Sequence, residues 1–72
     1  MLDRKQFTQK LATNLRRARE DKGMSQETLA HEAGLYRTYV GHIEKGRYLP
    51  SSYVLYKLVK ALKRSIKDLF PS

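Results

Sequence analysis

Thr38, Gly41, His42 and Lys45 fall on one face of a short helical stretch, with Val40 and Ile43 on the other. The polar face offers a hydroxyl, an imidazole, an ammonium and bare glycine backbone. These groups lie where a groove would meet the helix, and each can make hydrogen bonds there. The chain has no cysteine, hence no thiol nucleophile, disulfide or thiolate metal site. His31 and His42 are its only histidines, and they form no metal constellation with each other. No phosphate loop is present, and no carboxylate pair has an obvious pocket. The expectation is no enzyme activity, no metal and no cofactor.

The stretch that positions this face runs from Ser25 to Gly46, SQETLAHEAGLYRTYVGHIEKG. It reads as two short helices joined by a tight turn. Ala30 is small enough for the helices to approach closely. Gly34 sits where the turn needs a positive φ, which glycine adopts without steric cost. Leu29, Ala33, Leu35, Val40 and Ile43 are apolar where a side chain must face inward. One helix is thereby presented as a probe.

The chain has 72 residues, enough for one domain with a marginal core, and 40% of them are hydrophobic. Its formal net charge is +8. So strong a basic excess favours a polyanionic partner, nucleic acid before an anionic membrane. No apolar run approaches a membrane span or a signal-peptide core. A cationic membrane-surface peptide calls for continuous amphipathic helices, whereas Gly23, Gly34 and Gly46 break this chain at globular turns. The missing cysteines agree with a cytosolic protein.

The remaining elements are helices too. Asp3 and Gln6 have capping-box spacing, with Leu2 and Phe7 as a staple. The first helix then runs from Arg4 to Lys22 and Gly23 ends it, with Phe7, Leu11, Leu15 and Ala18 on one face. Ser25 caps the second helix. The third runs from Tyr36 or Arg37 to Lys45 and stops at Gly46. Arg47 to Ser52 form a loop, with Pro50 just before a serine cap. The fourth spans Ser52 to Lys63, with Leu55, Leu58, Val59 and Leu62 inward. Ser65 and Asp68 repeat the capping spacing for a short fifth helix carrying Ile66, Leu69 and Phe70, which Pro71 stops. No strand period, repeat or linker interrupts the series.

SQETLAHEAGL, YRTYVGHIEKG, the Pro50-Ser51 turn and the closing SIKDLF together resemble the Cro/repressor-type (XRE-like) helix-turn-helix regulators of bacteria and phages. The resemblance extends from the first helix to Phe70. Within that family, LYRTYVGHIEKG is most similar to the small controller proteins of restriction–modification systems. The resemblance implies an all-α, compact five-helix repressor-type domain over residues 1–72, helices 2 and 3 being the helix-turn-helix. It implies a sequence-specific transcription regulator, cytoplasmic and nucleoid-associated, of a prokaryote or phage. The implied partner is double-stranded DNA, a palindromic operator bound by a homodimer. There is little room for a small-molecule effector domain.

By the same resemblance, Arg37, Thr38 and His42 occupy base-reading positions. Arg37 suits a bidentate fork on guanine, Thr38 a thymine methyl or a phosphate, and His42 a base edge or the backbone. Gln26 opens the second helix, where such proteins contact a phosphate. Tyr39 touches phosphate or sugar, or else packs on the first helices. Lys45, Arg47 and Tyr48 lie along the DNA backbone. Arg16, Arg17 and Lys22 make a basic, mostly solvated end to the first helix. Lys57, Lys60, Lys63 and Lys67 read as solubilising surface away from DNA. Arg19 and Glu44, each one turn beyond a core residue, are packed by the family as a partly buried ion pair. Tyr53, Tyr56, Ile66 and Phe70 exceed what so small a core needs and are candidate dimer contacts, unless all of them pack internally.

Two departures from the family pattern stand out. A glycine commonly follows the fourth helix, but here Lys63 or Arg64 must fill that left-handed position, at a cost of about 1 kcal/mol. Ser52 stands where leucine is frequent, thinning the packing between loop and helix. The alternative function is an antitoxin-like protein-interaction module on the same fold, which favours a partner-binding tail beyond Phe70.

Overall fold

A computed structural model of the chain describes residues 1–71. Five helices follow in order: α1 Arg4–Asp21, α2 Gln26–Glu32, α3 Tyr39–Glu44, α4 Ser52–Leu62 and α5 Ile66–Leu69. Among the described residues there is no strand, so the fold class is all-α.

Short polar side chains decide where the longer helices begin. Gln6 N–H donates to Asp3 Oδ1 at 2.8 Å, and Asp3 N–H donates to Gln6 Oε1 at 3.1 Å, closing a capping box on α1. Ser25 Oγ accepts from Thr28 N–H at 3.0 Å on α2, and Ser51 Oγ from Val54 N–H at 3.2 Å on α4. Each cap satisfies an N–H that the helix cannot, and is worth about 0.5–2 kcal/mol. On α5, Asp68 Oδ2 accepts from Ser65 N–H at 3.2 Å.

α3 is the exception. It starts at Tyr39, two to three residues later than its periodicity suggests. Thr38 stands at the N-cap with φ −92° and ψ −3° and makes no side-chain cap bond. Tyr39 N–H instead reaches back to the Tyr36 carbonyl at 3.0 Å. Tyr36–Tyr39 is thus one tight turn, and Arg37 and Thr38 belong to that turn rather than to the helix. Lys22 and Lys45 are C-caps just outside α1 and α3.

Between α2 and α3, Gly34 takes φ +69°. A Cβ there would meet nothing closer than Lys57 Cε at 3.7 Å, so backbone angle rather than space requires glycine. Leu35 N–H then closes on the Ala30 carbonyl at 2.8 Å. After α4 the chain turns left-handed at Lys63, φ 55° and ψ 45°.

All five helices face one core. Leu11, Leu15, Leu29, Val40, Ile43, Leu58, Leu62 and Leu69 are fully buried. α1 packs on α3 and α5, α2 on α3 and α4, and α4 on α5. α3 is therefore held from two sides and free on the third. Among the described residues no helix is long and apolar enough to cross a membrane.

Candidate nucleic-acid interface

The buried side of α3 ends in a carboxylate. Glu44 Oε2 accepts from Arg19 Nε at 2.7 Å, and Oε1 accepts from Arg19 Nη2 at 3.1 Å, a two-point fork between α1 and α3. Gln26 Nε2 adds a bond from α2 at 3.0 Å, and Arg16 Nε approaches to 3.5 Å. Arg19 Nη1 also donates to the Met24 carbonyl at 2.7 Å, fixing the turn into α2. Burial alone pushes the Glu44 carboxyl up, but the bonds from Arg19 and Gln26 outweigh it and the group sits below its ordinary value. The bond to Glu44 likewise holds the Arg19 guanidinium above its ordinary value, against its own desolvation.

Gln26 is therefore part of the scaffold. Its Oε1 lies 3.1 Å from where a Cβ on Gly41 would stand, so α2 and α3 touch closely at that glycine. With one amide hydrogen on Glu44, the side chain has limited freedom to reach elsewhere. Arg16 belongs to the same cluster, although its sequence context reads as a solvated face.

Above this scaffold lies the free side. Arg37, Thr38 and Lys45 are exposed, and His42 and Gly41 are half-buried. Arg47 is exposed too, with Nη1 3.3 Å from His42 Nδ1. Tyr39 and Tyr48 stack with ring centroids 5.1 Å apart, and both pack against the core. The Tyr48 hydroxyl is buried and finds no hydrogen-bond partner among the described residues. Burial, with Tyr39 alongside, pushes that phenol well above its ordinary value. Tyr48 is thus a packing residue by its ring. His31 is exposed on α2, and among the described residues no cluster of three or more His, Asp or Glu could hold a metal ion.

Tyr36 is an exposed aromatic beside Arg37, 70% accessible, that the sequence pattern does not single out. A tyrosine bound for the core and one bound for solvent look alike in sequence. Lys57 is also placed differently: its Nζ donates to the Gly34 carbonyl at 3.3 Å and lies 5.1 Å from the Tyr53 ring centroid. It closes off the helix-connecting turn rather than standing free in solvent.

The last two helices carry a separate apolar surface. Tyr53, Tyr56, Ile66 and Phe70 remain exposed. Tyr53 and Tyr56 stack at 6.3 Å, and Phe70 meets Phe7 edge-on at 5.3 Å. A groove of about 280 Å³ between α4 and α5 is lined by Ser52, Leu55, Tyr56, Val59, Ile66 and Phe70.

Two short helices across a glycine turn, the second locked on one side and polar on the other, define a helix-turn-helix. Residues 15–69 match the family model described as Helix-turn-helix, and the chain belongs to that family, HTH_3. An uncharacterized HTH-type transcriptional regulator of Archaeoglobus fulgidus is 38% identical over 60 residues, 83% of this chain and 86% of that protein. The control protein C.SmaI of Serratia marcescens is 41% identical over 59 residues, 82% of this chain and 70% of that protein. The crystal structure of the restriction-modification controller protein C.AhdI from Aeromonas hydrophila matches with a TM-score of 0.84 at 43% identity, covering 88% of this chain and 96% of that one.

Proposed function

We propose that this protein is a sequence-specific transcription regulator of the restriction–modification controller type, binding a palindromic operator in double-stranded DNA as a homodimer. The observation that carries the reading is the position of Arg37 and Thr38. Both are exposed in the turn that opens α3, while the opposite side of α3 is anchored through Glu44. A rigid element presenting a planar five-donor fork and a hydroxyl is what major-groove reading requires. In this reading Arg37, Thr38 and His42 address bases. Lys45 and Arg47 lie against phosphates, with Tyr39 and Tyr48 bracing them. Gln26 touches the backbone only as far as its bond to Glu44 allows.

The relatives named as control and controller proteins favour that branch of the family. The exposed aromatic and aliphatic side chains of α4 and α5 supply a surface for a second copy. One recognition helix reads too few base pairs for useful specificity, and two-fold pairing doubles the site.

Selection of bound sites from a random duplex library tests the whole reading. The expected result is an inverted repeat with half-sites about one helical turn apart. Recovery of no enriched sequence would overturn specific DNA binding. Recovery of a single half-site would overturn the dimer and leave the rest.

A further inference from the structure

A cleft of about 570 Å³ opens between the first two turns of α1 and the loop that follows α3. Arg4, Lys5 and Thr8 line it from α1, and Lys45, Arg47 and Tyr48 from the loop. Four of those side chains are cations, and among the described residues no acid lines the cleft. Among the described residues the ion pairs are Arg16 and Arg19 with Glu44, Arg19 with Glu20, and Arg64 with Asp21; none involves the four cleft cations. Asp3, next to Arg4 in sequence, is engaged in the α1 capping box, and Glu44, next to Lys45, is held by Arg19. Among the described residues, four like charges thus line one cleft without an ion-pair partner, an arrangement that an anion relieves.

The cleft is continuous with the exposed side of α3. Arg47 lines it while its Nη1 lies 3.3 Å from His42 Nδ1. Tyr48 lines it while its ring stacks on Tyr39, the first residue of α3. An extended polyanion lying along α3 therefore passes the mouth of the cleft. Thr8 donates its hydroxyl to the Arg4 carbonyl at 2.8 Å, so the charged side chains supply the donors.

We propose that this cleft seats the sugar–phosphate backbone of the bound duplex, with Arg4 and Lys5 of α1 gripping it opposite Lys45 and Arg47. The inference rests on the DNA-binding reading above and extends the interface beyond the helix-turn-helix to the start of the chain. The recognised chemistry is the phosphate oxyanion: an arginine fork takes two oxygens, and a lysine ammonium acts as a point charge. Such contacts position the protein without reading sequence.

The test compares Arg4→Gln/Lys5→Gln with a charge-matched control, Lys60→Gln/Lys63→Gln, on operator and on random duplex over a range of salt. Arg4 and Lys5 are exposed, so the cleft variant should keep the native helix content by circular dichroism. We expect it to bind both DNAs roughly tenfold more weakly than the control, with a salt slope shallower by about 0.9 for each phosphate no longer neutralised. Arg4→Lys/Lys5→Arg should keep the native slope. Cleft and control variants that behave alike would overturn the inference while leaving DNA binding in place. A native chain that binds no duplex would remove the DNA reading and this inference together. Inorganic phosphate and triphosphate are titrated separately by calorimetry. Micromolar binding of either, with duplex affinity unchanged in the cleft variant, would reassign the cleft to small anions.

Discussion

Arg19 and Glu44 stand 25 residues apart in the chain and 2.7 Å apart in space. Through that contact the last turn of α1 holds the last residue of α3. Gln26 brings α2 to the same carboxylate at 3.0 Å. One buried anion thus fixes the angle at which α3 leaves the body. The exposed residues around it, Arg37 and Thr38 before and Lys45 and Arg47 after, inherit their positions from this anchor. The pair holds α1, α2 and α3 together at one carboxylate.

Removing one member of the pair should be costly. Glu44→Ala leaves the Arg19 guanidinium buried without its partner, and the expected loss is about 3–5 kcal/mol. That is a large share of the stability of any small domain. Arg19→Met with Glu44→Leu should restore much of it, since apolar pairs of similar volume often replace buried ion pairs at little cost. Urea unfolding of the native chain and both variants makes the comparison. A double variant no better than the single one would assign the loss to the Gln26 and Met24 bonds instead.

The depressed Glu44 carboxyl also predicts a pH response. A carboxyl whose folded value lies below its unfolded one stabilises fully above the unfolded value, about 4.3 for glutamate. That contribution is lost as pH falls through the folded value. The native chain should therefore lose stability steeply below about pH 4.5. Glu44→Gln should be less stable at neutral pH but show a shallower acid decline. The urea midpoint of both proteins, followed from neutral pH into acid, tests the sign. Parallel curves would show that Glu44 does not titrate in this range.

At the end of α4, Lys63 holds φ 55° with its side chain exposed. Lys63→Gly removes the Cβ clash of the left-handed conformation and should stabilise by about 1 kcal/mol. For a domain of this size that raises Tm by about 4–8 °C. Differential scanning calorimetry reads the effect directly. An unchanged or lower Tm would mean that the added freedom of the unfolded chain cancels the gain.

Features governed by near neighbours were legible in the sequence. The Asp3–Gln6 box, the Ser25 and Ser51 caps and the Gly34 turn each depend on a few adjacent positions. So does the helical periodicity that buries Leu29, Val40 and Ile43. The left-handed residue after α4 came from the family pattern, which left Lys63 and Arg64 open. The start of α3 was not legible, because no side-chain cap marks it and Tyr36 and Arg37, which suit a helix, form a turn closed by Tyr39 N–H on the Tyr36 carbonyl instead. The Arg19–Glu44 pair came from the family resemblance, and the structure forms it. Other long-range partners were invisible for a different reason. Gln26 reads as a phosphate contact at the start of α2, and its bond to Glu44, 18 residues later, shows only in the fold. Lys57 reads as a solubilising lysine until Gly34 presents its carbonyl 23 residues away. Arg4 and Lys5 drew no reading beyond the start of the first helix, because only the fold brings the loop after α3 beside them.

The apolar surface on α4 and α5 predicts self-association. Tyr53, Tyr56, Ile66 and Phe70 are 66%, 55%, 44% and 49% exposed, too accessible to be needed by the core alone. Sedimentation at micromolar concentration should find a homodimer. Ile66→Asp should convert it to a folded monomer, because a half-exposed side chain contributes little to internal packing. Its operator affinity should fall far more than its affinity for random duplex. A strict monomer, both free and on DNA, would falsify the dimer.

Base contacts and phosphate contacts should separate by mutation. Phosphate contacts position a protein without reading sequence, while base contacts discriminate. Arg37 lies exposed in the turn that opens α3, the part of the motif that goes deepest into the major groove in this docking mode. Arg37→Ala should cost roughly 1–3 kcal/mol on the preferred operator and relax preference at one base pair per half-site. Arg47 lies in the loop after α3, at the mouth of the basic cleft. Arg47→Ala should weaken operator and random duplex by similar factors and reduce the salt slope by about 0.9 for each phosphate that Arg47 neutralises. A general charge effect would make the two variants alike, since each removes one positive charge. Binding to operator and to scrambled duplex is measured for both at matched salt, after circular dichroism confirms the fold. If Arg37→Ala loses the same factor on both DNAs, Arg37 is a backbone anchor, and the readout passes to Thr38 or His42.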